Sequence, residues 1–397
     1  MASGKITPRT GVTVLPDFDA IRKQFPTLDN FVYLDTAAKA PLPRCAEEAM
    51  VSYMADIWER VGERSFSMQE IERTRETLAR LVGVPSTTIS FIKNTSEGIN
   101  IVAHGLGLEA GDKVLISEFE HSACVLPWRR LEKIGVEVEV VRGSAGRIPP
   151  ELFIEKMDDR TRAVGVSWVA YGNGYRFDIP TIAAACRERD IVLVVDGIQG
   201  VGVLATPLIQ LGADVVVAGG FKGLLSPTGT GFLYCREGFA SRIEPAYVAR
   251  FSFASDDKWR RELELATDAR RFEYGNPNYL GIWVMRHCLE LILSIGVDQI
   301  ERRVRELTTS LYEQVEEWGF KVITPKAWHE RAGILSFDIP EPEAVRQLLM
   351  ERKIVVNVRD GGTLRVAPHF FNTRQDIETL VDALADVVPA ASSASQG

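Results

Sequence analysis

Two ionisable side chains stand where apolar, strand-like segments end. Asp196 closes the run 191–196, and Lys222 closes the run 213–222 and opens a glycine-rich loop. A buried acid and an amine at strand ends are the two groups that pyridoxal phosphate requires: the lysine forms a Schiff base, and the aspartate keeps the pyridine nitrogen protonated. Taken singly, Asp196 could cap the next helix and Lys222 could begin a surface loop. Together they predict a pyridoxal-phosphate enzyme.

The segments between residues 85 and 235 alternate between strand-like and helix-like patterns. The β-rich runs are Ile89–Ile92, Lys113–Ile116, Val136–Val141, Ala163–Ser167, Ile191–Val195, Val215–Val217 and Gly231–Tyr234. Helical stretches such as 124–134 and 179–189 separate them. This alternation predicts an α/β fold with a mainly parallel, seven-stranded sheet covered by helices. Sites in such sheets form outside the carboxyl ends of the strands, which is where Asp196 and Lys222 lie.

Other polar residues near the strand ends could contact the cofactor. Thr95 and Ser96 follow the first strand and open a helix, whose N–H groups and hydroxyls suit a phosphate. A plain capping box would have the same pattern. His121 follows the second strand, where its ring could stack on the pyridine; an ordinary loop histidine is the alternative. Gln199, shortly after Asp196, could hydrogen-bond the phenolic oxygen of the cofactor.

Substrate-binding candidates come from two other regions. Arg365 lies inside an otherwise apolar strand, and its planar guanidinium suits a substrate carboxylate. Arg359 is a second candidate nearby, and a structural salt bridge is the alternative for both arginines. Trp168, Tyr171 and Asn173 are candidate pocket residues from the segment that precedes Asp196.

The composition limits the classes of partner. The formal net charge of −8 argues against nucleic acid and acidic membranes, which favour a basic surface. We see no apolar run of membrane-spanning length and no apolar signal core. The five cysteines are scattered without paired spacing, and the histidines show no metal-ligand spacing. We therefore expect a cytoplasmic protein without a metal site.

The pattern along the chain predicts two domains. Residues 31–277 form the large cofactor-binding domain, and residues 1–30 form an N-terminal arm that joins the smaller domain. Residues 278–388 contain two long connecting helices and a compact α+β domain. The low-complexity tail 389–397 is expected to be disordered.

Several motifs together resemble the class V aminotransferase superfamily of fold-type I enzymes, which includes cysteine desulfurases, selenocysteine lyases, isopenicillin-N-epimerase-like proteins and kynureninases. These motifs are Tyr33–Ala38, Asn94–Asn100, Val195–Gln199, Gly219–Lys222 and Leu364–Thr373. The resemblance supports the roles given above for the cofactor and carboxylate contacts. It further implies a homodimer with shared active sites, in which the segment 272–277, including Asn276, would reach the phosphate of the neighbouring subunit's cofactor.

Departures from the family bear on the reaction. Cysteine desulfurases carry a persulfide-forming cysteine on the loop before the carboxylate arginine, whereas residues 355–365 contain none. Trp168 stands where desulfurases place an asparagine, and the segment 166–178 resembles the epimerase-like branch. We therefore predict carbon–sulfur lyase-like β-elimination on a cysteine-type substrate without an enzyme persulfide, with Lys222 as base and His121 or Tyr171 as a further acid or base. Transamination and epimerisation are the alternatives; a non-catalytic cofactor-binding scaffold is the alternative of another class.

Overall fold

A computed structural model describes residues 16–255, 259, 263–359 and 361–394. The strands are β1 (Val32–Tyr33), β2 (Ile89–Ile92), β3 (Lys113–Ser117), β4 (Glu137–Val141), β5 (Thr161–Ser167), β6 (Val192–Asp196), β7 (Val215–Gly219), β8 (Gly231–Cys235), β9 (Leu335–Asp338), β10 (Ile354–Val355), β11 (Asn357–Arg359) and β12 (Thr363–Val366). The helices are α1 (Phe18–Arg22), α2 (Arg44–Arg60), α3 (Met68–Val82), α4 (Thr95–Gly105), α5 (Ser122–Arg130), α6 (Pro150–Ile154), α7 (Ile179–Glu188), α8 (Leu208–Leu211), α9 (Tyr279–Ile295), α10 (Val297–Glu317), α11 (Pro342–Glu351) and α12 (Arg374–Ala394).

The central sheet has seven strands in the order β2-β8-β7-β6-β5-β3-β4. Strand β8 runs antiparallel to both of its neighbours, and the other neighbouring pairs are parallel. The predicted α/β fold with a mainly parallel sheet is therefore confirmed. The ends of β2, β3, β5, β6 and β7 lie at one edge, because these strands share one direction.

Both faces of the sheet are covered, which explains the continuous apolar runs of its strands. Successive residues of β6 belong to different apolar clusters: Val194 packs in the cluster of Ile99 from α4, and Leu193 in that of Ile182 from α7. With both faces apolar, a polar group at the end of β6 remains next to the core. Asp196 is therefore unusual because its carboxyl group lies next to the apolar core.

A second, smaller sheet has the order β11-β12-β9, with both pairs antiparallel. Its apolar cluster includes Leu364 from β12 and Leu34, which follows β1. Strand β1 pairs in parallel with β10, so the chain near residue 32 joins these C-terminal elements. The predicted domain boundaries stay predictions. Residues 1–15 of the predicted arm lie outside the described residues, and helix α12 extends past Pro389, where the sequence predicts a disordered tail, to Ala394.

Within the described residues, no single helix has the length and apolarity of a membrane span. Helices α9 and α10 meet those criteria only as a pair, and they are bent by 76° at their junction. The same residues contain no cluster of histidine, cysteine, aspartate or glutamate that could hold a metal ion.

Candidate active site

The carboxyl edge of the central sheet faces β11 and β12 across a cavity of about 260 Å³. Most of the residues predicted for the site line this cavity, namely Thr95, Ser96, His121, Tyr171, Asp196, Gln199, Lys222, Arg359 and Arg365. They come from loops after five strands and from the smaller sheet. The topology thus brings together side chains from distant parts of the chain.

Asp196 is the last residue of β6 and is only 3% exposed. Burial raises the pKa of its carboxyl group to about 6, while a hydrogen bond from the N–H of Ile198 (3.0 Å) and the charge of Lys222 oppose the rise. Above that pH the group is an anion that needs a positive partner. A protonated ring nitrogen in the cavity would supply it.

Lys222 lies three residues beyond β7, in the turn that begins at Gly220. Burial lowers the pKa of its amine to about 8, against the opposing charge of Asp196. The guanidinium groups of Arg365 and Arg359 lower that pKa further, and Asp35 raises it. About a tenth of the amine is therefore neutral, and hence nucleophilic, at pH 7, far more than for an ordinary lysine.

Helix α4 begins at the end of β2 and points its N-terminus at the cavity. Asn94 caps the helix by accepting a hydrogen bond from the N–H of Glu97 (2.9 Å). Thr95 Oγ1 accepts one from the N–H of Gly219 (3.2 Å), which ties this helix to the strand that carries Lys222. The first-turn N–H groups and the hydroxyl of Ser96 provide donors for a phosphate.

His121 is the N-cap residue of α5, and its Nδ1 accepts a hydrogen bond from the N–H of Ala123 (3.1 Å). The imidazole stands at 87° to the ring of Tyr171, with 5.0 Å between the ring centroids. Burial lowers the pKa of His121, and the positive charges of Lys222 and the nearby arginines lower it further. The neutral ring carries its proton on Nε2, since Nδ1 is an acceptor.

Arg365 is fully buried on β12 and is held by two acceptors. Its guanidinium donates to Asp35 Oδ1 (2.8 Å) and to the carbonyl oxygen of Tyr171 (2.8 Å). Burial lowers its pKa, and Asp35 opposes that change. The Nε–H group has no partner among the described residues, so donor capacity remains for a substrate carboxylate. Arg365 therefore forms a salt bridge and can also bind an anion.

Arg359, on the neighbouring strand β11, also faces the cavity. Its guanidinium carbon lies 5.7 Å from the centroid of the Tyr171 ring, and its buried Nε has no hydrogen-bond partner among the described residues. The cavity therefore presents two guanidinium groups, one on each of two paired strands.

Two further predicted residues, Gln199 and Asn276, contact other groups or another cavity. Gln199 lines the cavity, but its side-chain amide donates to the carbonyl oxygen of Ala37 (3.0 Å), leaving one amide hydrogen for another acceptor. Asn276 lines an adjacent cavity of about 530 Å³ that also borders Asn94. Its predicted phosphate contact concerns a neighbouring subunit and stays a prediction.

Trp168 and Asn173, predicted as pocket residues, do not line the cavity around Lys222. Trp168 is buried in the core beside Gly200, where a Cβ atom on the glycine would lie 2.4 Å from the indole. Asn173 shapes its own loop by donating to the carbonyl oxygen of Gly146 (3.1 Å) and accepting from the N–H of Tyr175 (3.0 Å). Trp168 is therefore a core residue, and Asn173 stabilises its own loop.

Asp35 contributes to the site, although it is not among the residues predicted from the sequence. Its carboxylate accepts from Arg365 and, at Oδ2, from Asn357 (2.7 Å). An acid that directly follows an apolar strand is the same signal that identified Asp196, so the sequence contained the evidence for it.

Glu120, also missed, lies buried immediately before His121. Burial raises the pKa of its carboxyl group to about 7, while hydrogen bonds from Ser117 Oγ (2.5 Å) and Ser167 Oγ (2.5 Å) oppose that change. It joins β3 to β5 beneath the cavity. No local sequence signal distinguishes it from the exposed Glu118 two residues earlier.

The side chains fit pyridoxal phosphate. The cavity offers one amine of lowered pKa for the aldehyde, one buried carboxyl group for the ring nitrogen, and a helix N-terminus with hydroxyl groups for the phosphate. Lys222, Asp196, Thr95 and Ser96 would supply these contacts, with His121 beside the ring.

The comparisons with known proteins agree with this geometry. The profile of the family described as aminotransferase class-V matches residues 32–380. A probable cysteine desulfurase of Pyrococcus abyssi (strain GE5 / Orsay) is 29% identical over 390 residues, which cover 93% of this chain and 97% of that protein. The apo structure of the cysteine desulfurase from Thermococcus onnurineus NA1 has a TM-score of 0.86 at 27% identity, covering 95% of this chain and 99% of that one.

A further solved structure, the cystine C–S lyase C-DES in complex with its reaction product cysteine persulfide, shares the fold with a TM-score of 0.86 at 24% identity. That likeness covers 92% of this chain and all of the other. The family match spans most of the chain, and it confirms the predicted family and cofactor. The protein is a pyridoxal-phosphate-dependent enzyme and belongs to the class V aminotransferase family.

Proposed function

We propose that the enzyme is a carbon–sulfur lyase that acts on a cysteine-type amino acid by β-elimination, without an enzyme persulfide. The observation that carries this proposal is the composition of the cavity around Lys222, which presents two arginines and no cysteine. All five cysteines lie in the described part of the chain; four are buried, and only Cys45 is partly exposed. The cysteine desulfurases among its relatives support a cysteine-type substrate.

The bound cofactor supplies an electron sink for the pair of electrons left when the substrate loses its α-proton. Lys222 is placed to take that proton, because its amine lines the cavity and is partly neutral near pH 7. Arg365 holds the α-carboxylate through its remaining donors. Asp196 balances the charge of the protonated ring nitrogen.

Two guanidinium groups favour a substrate with two carboxylates, and the disulfide amino acid cystine fits this requirement. Arg365 would bind the carboxylate next to the reacting carbon, and Arg359 the distal one. In the elimination the Cβ–S bond breaks and its electron pair leaves with sulfur. Cystine and one water molecule then give cysteine persulfide, pyruvate and ammonia, and no oxidant or reductant is needed.

The test mixes the purified holoenzyme with cystine, cysteine, alanine and glutamate, while the cofactor absorption band and 2-oxo acid release are followed. We expect pyruvate and a persulfide product from cystine, with the original absorption band restored after turnover. Accumulation of the pyridoxamine form, reset by an added 2-oxo acid, would instead establish an aminotransferase. Loss of activity in Cys45→Ser would contradict a reaction without an enzyme persulfide.

Replacing Arg359 by leucine is expected to raise the KM for cystine by about 10- to 100-fold, because one charge-assisted hydrogen-bonding partner is lost. The KM for cysteine, which lacks a distal carboxylate, should change much less. Steady-state kinetics with both substrates measure the difference. Arg352→Leu, at an exposed position that pairs with Asp386, is the matched control. Equal effects on both substrates would exclude the distal-carboxylate role.

A homodimer with shared active sites is part of the same proposal. Its support is an exposed apolar surface at the end of α2 and the following turn, where Trp58 is 75%, Val61 92% and Phe66 53% exposed. Several large apolar side chains exposed in one short segment are typical of protein interfaces. Asn276 borders an open cavity adjoining the N-terminus of α4, where a second copy can approach the site.

The double variant Trp58→Glu/Val61→Glu is expected to shift the protein from dimer to monomer, since two charges would have to be buried in an apolar contact. Light scattering coupled to gel filtration gives the mass directly. Ile209→Glu changes another exposed apolar residue, on α8, and serves as the control. A dimer that survives in the double variant would show that this surface is not the interface.

A further inference from the structure

A second, much smaller cavity borders Lys222. Its volume is about 20 Å³, and it lies where the loops after β1, β6, β7 and β12 meet. Thr36, Gln199, Lys222, Gly333 and His369 are among the residues that line it. Lys222 also lines the larger cavity, as do Ala37, Ile198 and Gln199, so the two spaces adjoin. About 10–15 Å³ of such room suffices for one water molecule.

His369 provides a hydrogen-bond donor for this cavity. It is 1% exposed, and its ring stacks on that of Phe371 with 5.4 Å between centroids. Nδ1 accepts a hydrogen bond from the N–H of Phe370 (2.9 Å). Burial lowers the pKa of the imidazole to about 3, so the ring is neutral and its single proton lies on Nε2. Nε2 has no partner among the described residues.

Thr36 provides a second polar group. Its N–H donates to the carbonyl oxygen of Ala367 (3.1 Å), which fixes the residue beside the chain that leads to His369. The Thr36 side chain is buried, and Oγ1 is without a partner in the described part of the chain. Buried polar atoms are usually satisfied by protein or by ordered water. The two residues that carry these unpartnered atoms therefore line a space of the size of one water molecule.

We propose that this cavity binds one water molecule, held by the Nε2–H of His369 and by Oγ1 of Thr36 against Lys222. The two residues are then positioning residues for the lysine. The water accepts a hydrogen from His369, donates one to Thr36, and keeps a lone pair for the ammonium form of Lys222. Because it solvates the charged form, it opposes the loss of the proton from the lysine.

Other groups around Lys222 also set its charge. Asp196 and Asp35 favour the ammonium form, whereas Arg365 and Arg359 disfavour it. Two further titratable residues, His121 and Tyr171, line the larger cavity with Lys222, and the pKa of His121 is lowered. Without the water the pKa of Lys222 falls, because the buried ammonium group loses a hydrogen-bond acceptor. The importance of this effect for catalysis rests on the function proposed above for Lys222. The water site itself does not depend on that function.

The first test examines the apoprotein. Nitrogen-15 spectra of the histidines should show one neutral imidazole with the proton on Nε2 that does not titrate between pH 5 and 8. A high-resolution crystal structure should show one water within hydrogen-bonding distance of His369 Nε2 and Thr36 Oγ1. An Nδ1–H tautomer, or a cavity without that water, would overturn the proposal whatever reaction the enzyme performs.

The second test measures the pKa of Lys222 in the apoprotein from the pH dependence of its acetylation, followed peptide by peptide with mass spectrometry. Thr36→Val and His369→Phe should lower that pKa by about one pH unit, which corresponds to about fivefold faster labelling at pH 7. His369→Gln keeps an N–H donor at a similar distance, so the pKa of Lys222 in this variant should be close to the wild-type value.

The matched control for these variants is Ser90→Ala, which removes another buried, unpartnered hydroxyl that borders neither cavity. It should leave the lysine unchanged. An unshifted Lys222 in Thr36→Val and His369→Phe would refute the positioning role even if lyase activity is confirmed. A shifted lysine in an enzyme that proves to be an aminotransferase would uphold this inference and reject only the lyase.

Discussion

Replacing Lys222 by alanine is expected to reduce turnover by on the order of 10³-fold or more and to abolish covalent attachment of the cofactor. Lys222 is the lysine that lines the cavity beside Asp196, and its amine has a pKa of about 8. No other lysine lines that cavity in the described part of the chain. Its loss would remove both the proposed attachment point and the proposed base.

The measurement combines steady-state kinetics with borohydride reduction and peptide mapping. The wild-type enzyme should carry a pyridoxyl label on the peptide that contains Lys222, and the variant should carry none. Lys39→Ala, at an exposed lysine on the loop after β1, should keep both label and activity. A label that persists in the Lys222 variant would place the attachment elsewhere, and retained turnover would refute its role as base.

Replacing Asp196 by asparagine is expected to lower kcat by about 10²- to 10³-fold, comparable to the loss of one preorganised electrostatic partner. The amide keeps the shape and the hydrogen bond from Ile198 but cannot balance a protonated ring nitrogen. The cofactor should also bind more weakly. Fluorescence titration of the apoprotein measures that affinity, and Asp190→Asn, at an exposed aspartate paired with Arg242, is the control.

The same carboxyl group gives a pH dependence with a defined sign. Burial raises the pKa of Asp196 to about 6, so the anion forms above that pH and is lost below it. Cofactor affinity of the wild-type apoprotein should therefore fall as the pH drops from 7 to 5. In Asp196→Asn the cofactor affinity should not show this fall between pH 7 and 5. A wild-type affinity that stays constant across the range would show that the ionised aspartate does not hold the ring.

The parts of the site that could be predicted from sequence have local signals. The strands of the central sheet are continuous apolar runs because helices cover both faces, and a polar residue at the end of such a run is conspicuous. Asp196 and Lys222 are identified in this way, and Arg365 is identified as a charged residue inside an apolar strand. The topology rule for parallel sheets then predicts that Asp196 and Lys222 lie at one edge, and the structure has them around one cavity with Arg365.

What the sequence determined by itself is thus the fold class, the family and the residues that interrupt apolar segments. The tertiary structure decided the pairings: Arg365 with Asp35, Glu120 with the serines of β3 and β5, and His369 beside Lys222. It also placed Trp168 in the core and left Arg359 facing the cavity. Periodicity reports burial along one segment, whereas hydrogen bonds and pKa shifts arise between groups that are distant in the chain and meet only after the sheets have packed.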